Sequence, residues 1–136
     1  MASFDSIPRL NLEQLGELIE VDQGRTDLAR ELWSICIEQV ELRFAAMDAA
    51  LAKADFRTVD QQLHTFKSTC HSAGLGRAHV MSREMQKLVA GETIAPLEVR
   101  RALRQLRAEV ASGLTELADF LTDQELDQDN ELRRTG

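Results

Sequence analysis

The stretch LARELWSICIEQVELRFAAMDAALAKA, residues 28–54, contains neither glycine nor proline. Its apolar positions, Leu28, Leu32, Ile35/Cys36, Val40, Phe44, Met47, Leu51 and Ala54, step by three and four. That period places them on one side of an α-helix roughly 40 Å long, at about 1.5 Å per residue. A stripe of that length needs partners along it, so the rest of the chain must supply further helices.

It does. Upstream, Asn11 is placed to cap a short helix through Val21, with Leu12, Leu15, Leu18 and Ile19 on one face. VDQGRTD, residues 21–27, reads as a loop, with Thr26 or Asp27 capping the long helix. Downstream, Lys53-Ala54-Asp55 is a tight connection. Phe56, Val59, Leu63, Phe66, Cys70 and Ala73 then give a second stripe, ended by Gly74 and Gly76. Val80, Met81, Met85, Leu88 and Val89 mark a third segment that stops at Gly91. Pro96 suits the first turn of a last helix. Val99, Leu103, Leu106, Val110, Leu114, Leu117 and Leu121 give that helix its stripe. No segment alternates with period two. The expected fold is all-α: an antiparallel four-helix bundle with a short additional N-terminal helix. Residues 1–9 form a lead and 10–121 the bundle. The tail 122–136 has little to bury and reads as frayed or disordered.

Composition agrees. Hydrophobic residues make up 43% and charged residues 29%, as in a soluble single domain. The net charge of −7 argues against nucleic acid as the main partner. Cys36 and Cys70 have no CxxC spacing, so neither a disulfide framework nor a zinc knuckle is expected. The N-terminus carries no basic-then-apolar signal segment. No apolar run nears the roughly 20 residues that span a bilayer. A cytoplasmic protein without membrane contact is expected.

The chemistry gathers on the second stripe's helix, in HTFKSTCHSAGLG, residues 64–76. His64 lies one residue past Leu63, about 100° around the helix. Lys67, Ser68 and His71 follow at +3, +4 and +7, and Asp60 precedes at −4. Cys70 and Phe66 belong to the core stripe, which leaves His64, Lys67, Ser68 and His71 as an exposed polar ridge. A solvated helix face is the bland reading. Against it, the neighbours of His64 are a cation and a small hydroxyl, and the helix ends three residues past His71. A metal site formed from His64, Cys70, His71 and His79 fits no ligand spacing and would face Lys67. A Ser68–His64 hydrolytic pair lacks a third group to orient the imidazole and an oxyanion hole. GLGR is not followed by GK[ST] and follows no strand, so no nucleotide site of the chain's own is expected.

With these residues in view, the chain resembles the histidine-containing phosphotransfer (HPt) domains of multistep phosphorelays in two-component systems. That family carries a His, a Lys three residues later, a small residue next, and a Gly ten residues from the His. Here these are His64, Lys67, Ser68 and Gly74. It often places Gln or Glu 22 residues after the His, and Gln86 stands there. A run of Ala-Leu leading to Asp is matched by Ala50-Leu51 and Asp55. The similarity spans about residues 10–121. Ser68 departs from the usual Gly. Ala78 stands where a larger aliphatic residue is usual, with His79 after it.

The resemblance implies a phosphocarrier rather than an enzyme. His64 would accept a phosphoryl group from an aspartyl phosphate on a receiver domain and pass it to another receiver's aspartate. Lys67 would neutralise the phosphoryl oxygens, and Gln86 would hold the other ring nitrogen of His64. Ser68 and Gly74 would keep the docking surface low, with His71 at its rim. The chain would need no cofactor of its own, the partner receiver supplying Mg²⁺. Partners would be receiver domains of hybrid histidine kinases and response regulators, and a monomer is the expected state. Trp33 and the long helix could instead support a dimer. Two other readings share the pattern: a helical adaptor that binds receivers without phosphorylation, and the phosphorylated module of a larger chemotaxis-type histidine kinase.

Overall fold

The computed structural model of the protein describes residues 3–135; residues 1, 2 and 136, at the outer ends of the expected lead and tail, lie outside them. Among the described residues five helices follow one another: α1 Leu12–Val21, α2 Asp27–Ala52, α3 Phe56–Ser72, α4 Gly76–Ala90 and α5 Pro96–Thr135. No strand occurs among the described residues.

The bundle closes because each long helix buries one stripe. Helix α3 packs on α2 and α4, and α5 packs on α4 and α2, so α3 and α5 sit diagonally. Phe44 of α2 and Phe66 of α3 meet edge to face at the centre, ring centroids 5.3 Å apart. Val59, Leu63, Met85, Val99, Leu106, Val110, Leu117 and Leu121 fill the core above and below them. Helix α1 lies against α2. Its Leu15, fully buried, sits over the α3–α4 elbow at Gly74.

Local chemistry sets the boundaries. Asn11 Oδ1 accepts from the Gln14 N–H at 3.1 Å and starts α1 as expected. Asp55 does the same for α3, accepting from the Thr58 N–H at 3.1 Å and its hydroxyl at 2.6 Å. The start of α2 needs a correction. Thr26 occupies the N-cap but makes no cap bond. Asp22 Oδ2 instead accepts from the Leu28 N–H at 3.1 Å. The Thr26 hydroxyl is committed elsewhere, donating to Glu125 Oε1 at 3.0 Å.

That last contact bears on the tail, where the expectation of a frayed or disordered end is also corrected. Helix α5 runs on through Thr135. Residues 122–135 contain no glycine or proline. Their first turns are fastened to the bundle from afar. Arg30 Nε donates to Glu125 Oε1 at 2.9 Å, Arg30 Nη2 donates to the Thr122 hydroxyl at 3.1 Å, and the Gln128 amide donates to the Gly24 carbonyl. Arg30 and Thr26 hold the Glu125 carboxyl below the usual glutamate range, the Arg30 hydrogen bond being the largest cause.

The lead is fastened too. The Glu109 carboxylate, 8% exposed, accepts from Arg9 Nε at 2.8 Å and from Arg77 Nη1 at 3.3 Å. Arg77 Nε also donates to the Ile7 carbonyl at 2.8 Å, and the Asn11 N–H donates to the Gly74 carbonyl at 2.8 Å. Residues 3–11 thus form a strap across the α3–α4 elbow.

Candidate functional site

The ridge forms on α3 as the spacing predicts. His64 and Ser68 are exposed, Lys67 is half-buried, and His71 is exposed about 10.5 Å further along the axis at 1.5 Å per residue. The Lys67 ammonium makes no ion pair among the described residues. The Ser68 hydroxyl donates back to the His64 carbonyl at 3.4 Å, so it serves the helix backbone rather than the imidazole.

Helix α4 brings two further groups to this face. His79, half-buried, lies with its ring centroid 5.1 Å from that of His71. Its Nδ1 is 3.3 Å from the Lys67 carbonyl, which can accept a hydrogen bond from the Nδ1–H tautomer. Gln86 comes from the next turns of α4, but its partner differs from the expected one. Gln86 Nε2 donates to Asp60 Oδ1 at 3.3 Å, and no hydrogen bond joins it to the His64 ring among the described residues. An ionised carboxylate accepts more strongly than a neutral imidazole nitrogen, and Asp60 stands one turn before His64 on the same helix.

Gly74 also takes a different part. It is buried, with φ +78°, and a Cβ there would stand 2.7 Å from Leu15 Cγ and Cδ2. Gly74 is therefore not part of the exposed ridge. It lets the chain turn in a left-handed conformation while α1 packs directly over it.

The cysteines take no part. Cys36 and Cys70 are free and fully buried. Burial pushes the Cys36 thiol up to about 11, and Cys70 well above its ordinary value. Burial thus disfavours the thiolate at both, so neither is an activated nucleophile. No three His, Cys, Asp or Glu side chains converge as a metal site among the described residues. Among the described residues, no helix is long and apolar enough to cross a membrane.

Beside the ridge lies a groove of about 370 Å³. Ile7, Pro8 and Leu12 form one wall, and His71, His79 and Val80 the other. Leu12 is 62% exposed at its lip. Sequence reasoning missed this groove and the Arg9–Glu109–Arg77 clasp. Both depend on the lead folding back over an elbow some 65 residues away, for which the sequence carries no local signal.

With the geometry established, three comparisons bear on it. The family model described as Hpt domain matches residues 31–133. No curated protein matches the chain. An X-ray structure of a rice protein assigned as a histidine-containing phosphotransfer protein superposes with a TM-score of 0.69 at 14% identity. That superposition covers 85% of this chain and 82% of the rice chain; at this identity it speaks for the helical fold alone. The family match takes in α3 with its ridge, all of α4 and nearly all of α5, and by it the chain belongs to the Hpt domain family.

Proposed function

We propose that the protein is a phosphorelay carrier whose phosphoacceptor is His64. The observation that carries this reading is an exposed imidazole with, one turn away, an ammonium that makes no ion pair among the described residues, on a helix inside the family-matched region.

The chemistry is simple to balance. A lone pair on a neutral His64 ring nitrogen attacks the phosphorus of an aspartyl phosphate on a receiver domain. The N–P bond forms as the acyl P–O bond breaks, and the aspartate carboxylate leaves with the electron pair. The phosphoimidazolium sheds its remaining ring proton to water. Transfer onward reverses these bonds on a second receiver's aspartate. Such transfer needs in-line positioning and neutralisation of charge more than covalent help. The receiver supplies Mg²⁺, and the carrier needs no cofactor of its own. Lys67 contributes a point charge to the phosphoryl oxygens. Ser68, small and turned back on its own helix, leaves room above the ridge. Gln86 enters this reading through Asp60, which it positions, rather than through the ring.

The test is a two-step chase. A receiver domain charged with labelled acetyl phosphate and Mg²⁺ is mixed with the protein, and a second, uncharged receiver is added afterwards. A carrier gains an acid-labile, base-stable label and then loses it to the second receiver. A protein that binds both receivers but never takes the label is an adaptor, and the carrier reading fails.

A further inference from the structure

Helix α5 runs for 40 residues, and its exposed charges are sorted along it. Arg100, Arg101, Arg104 and Arg107 crowd its first turns, and Asp119 and Asp123 lie past its middle. Like charges three and four residues apart destabilise a lone helix. The chain relieves little of this crowding itself. Arg107 pairs with Asp48 at 2.9 Å. Arg100, Arg101, Arg104, Asp119 and Asp123 make no ion pair among the described residues.

The face of α5 turned away from the bundle is symmetric about its own middle. With a two-fold axis set between Ala111 and Ser112, Leu97 and Leu126 stand equally far on either side, about 22 Å at 1.5 Å per residue. Arg104 and Asp119 are likewise equidistant, and so are Ala108 and Thr115. Arg101 and Asp123 come within one residue of the same symmetry. All of these side chains are exposed, Leu97 at 77% and Leu126 at 56%. An antiparallel copy of the helix would set leucine on leucine at each end and arginine on aspartate inside them. Small side chains would meet at the centre, where two helices can approach. A parallel copy would set arginine against arginine.

We propose that α5 pairs antiparallel with α5 of a second copy of this chain, about a two-fold axis at Ala111 and Ser112. The strip from Leu97 to Leu126 is about 44 Å long and about 10 Å wide, so it buries about 450 Å² per copy. A standard interface buries about 800 Å² per partner. The dimer is therefore weak and concentration-dependent. Helix α3 lies across the bundle from α5, so His64 stays uncovered in both copies. Trp33 on α2 is not the anchor, because its Nε1 is spent within the chain, donating to the Leu114 carbonyl at 3.0 Å. The pairing does not depend on the carrier reading.

Sedimentation equilibrium of the full chain, from about 5 to about 500 µM, tests it. The mass should rise from one chain toward two across that range. Arg104→Glu sets glutamate against aspartate, and Asp119→Arg sets arginine against arginine, each twice per dimer by symmetry. Either should weaken association at least about tenfold. Neither threatens the fold. A glutamate at position 104 has Arg100, Arg101 and Arg107 three or four residues away, and an arginine at position 119 has Glu116 and Asp123. Circular dichroism of both should match the parent. The double variant restores opposite charges in swapped order and should associate within about threefold of the parent. A single-chain mass at every concentration overturns the inference. So does a dimer indifferent to both single substitutions, which would use another face. A double variant as weak as either single one overturns it too, because the antiparallel register would then be wrong.

Discussion

Replacing Gly74 with alanine should destabilise the protein far more than one added methyl suggests. The new Cβ would stand 2.7 Å from Leu15 Cγ and Cδ2, where carbon atoms pack best at about 3.5–4.0 Å. Leu15 is fully buried and cannot swing away. The relief available is to lift α1, which strains the 2.8 Å bond from the Asn11 N–H to the Gly74 carbonyl. Overpacking of this kind costs about 1–3 kcal/mol. The φ of +78° adds about 1 kcal/mol for a residue with a Cβ. The sum, about 3 kcal/mol, should lower the melting temperature by roughly 10 °C in a domain of this size. Urea unfolding of four proteins separates the two contributions. Leu15→Ala alone should cost about 2–5 kcal/mol by leaving a cavity. On that background the clash is gone, and Gly74→Ala should cost only about 1 kcal/mol, giving a coupling of about 2 kcal/mol. An equal cost on both backgrounds would refute the clash. A cost below about 0.5 kcal/mol on the parent would refute the strain as well.

Glu109→Gln should cost about 2 kcal/mol, less than a wholly buried pair, because Arg9 remains 33% exposed and can rehydrate. It should also speed amide exchange at Asn11 selectively, since the strap loses its clasp; exchange unchanged at Asn11 would contradict that role. The end of α5 should be sensitive to acid. Arg30 and Thr26 depress the Glu125 carboxyl, so its contribution is complete above the ordinary glutamate range and disappears as pH falls through the lower folded value. Amide signals of residues 122–130 should lose helical shifts in that window before the core does. Retention of those shifts until global unfolding would count against the Glu125 anchor.

Much of this fold can be read along the chain because its signals are local. Three-and-four spacing marks most of each buried stripe, although Leu12, Ile35 and Ala54 turn out exposed, and Gly74, Gly91 and Pro96 punctuate the stripes where the helices turn or stop. The polar ridge is legible for the same reason, since His64, Lys67, Ser68 and His71 share a face by spacing alone. What escaped depends on residues far apart in sequence. The tail reads as having nothing to bury, yet Glu125 finds Arg30 and Thr26 almost a hundred positions away. Asp22, outside α2, takes the cap that Thr26 would have supplied. Gln86 stands in the right register on α4, but whether it meets His64 or Asp60 is decided by how α3 and α4 pack. Gly74 is conspicuous by position, while its reason, the side chain of Leu15, appears only once α1 is folded over it.

The most direct test of the central claim is labelling of three proteins side by side by one charged receiver domain: the parent, His64→Gln and His71→Gln. Both imidazoles are exposed on the same face of α3, so both substitutions should leave the fold intact. The account predicts label on the parent and on His71→Gln and none on His64→Gln. Label retained by His64→Gln and lost from His71→Gln would move the phosphoacceptor one step along the ridge and contradict it.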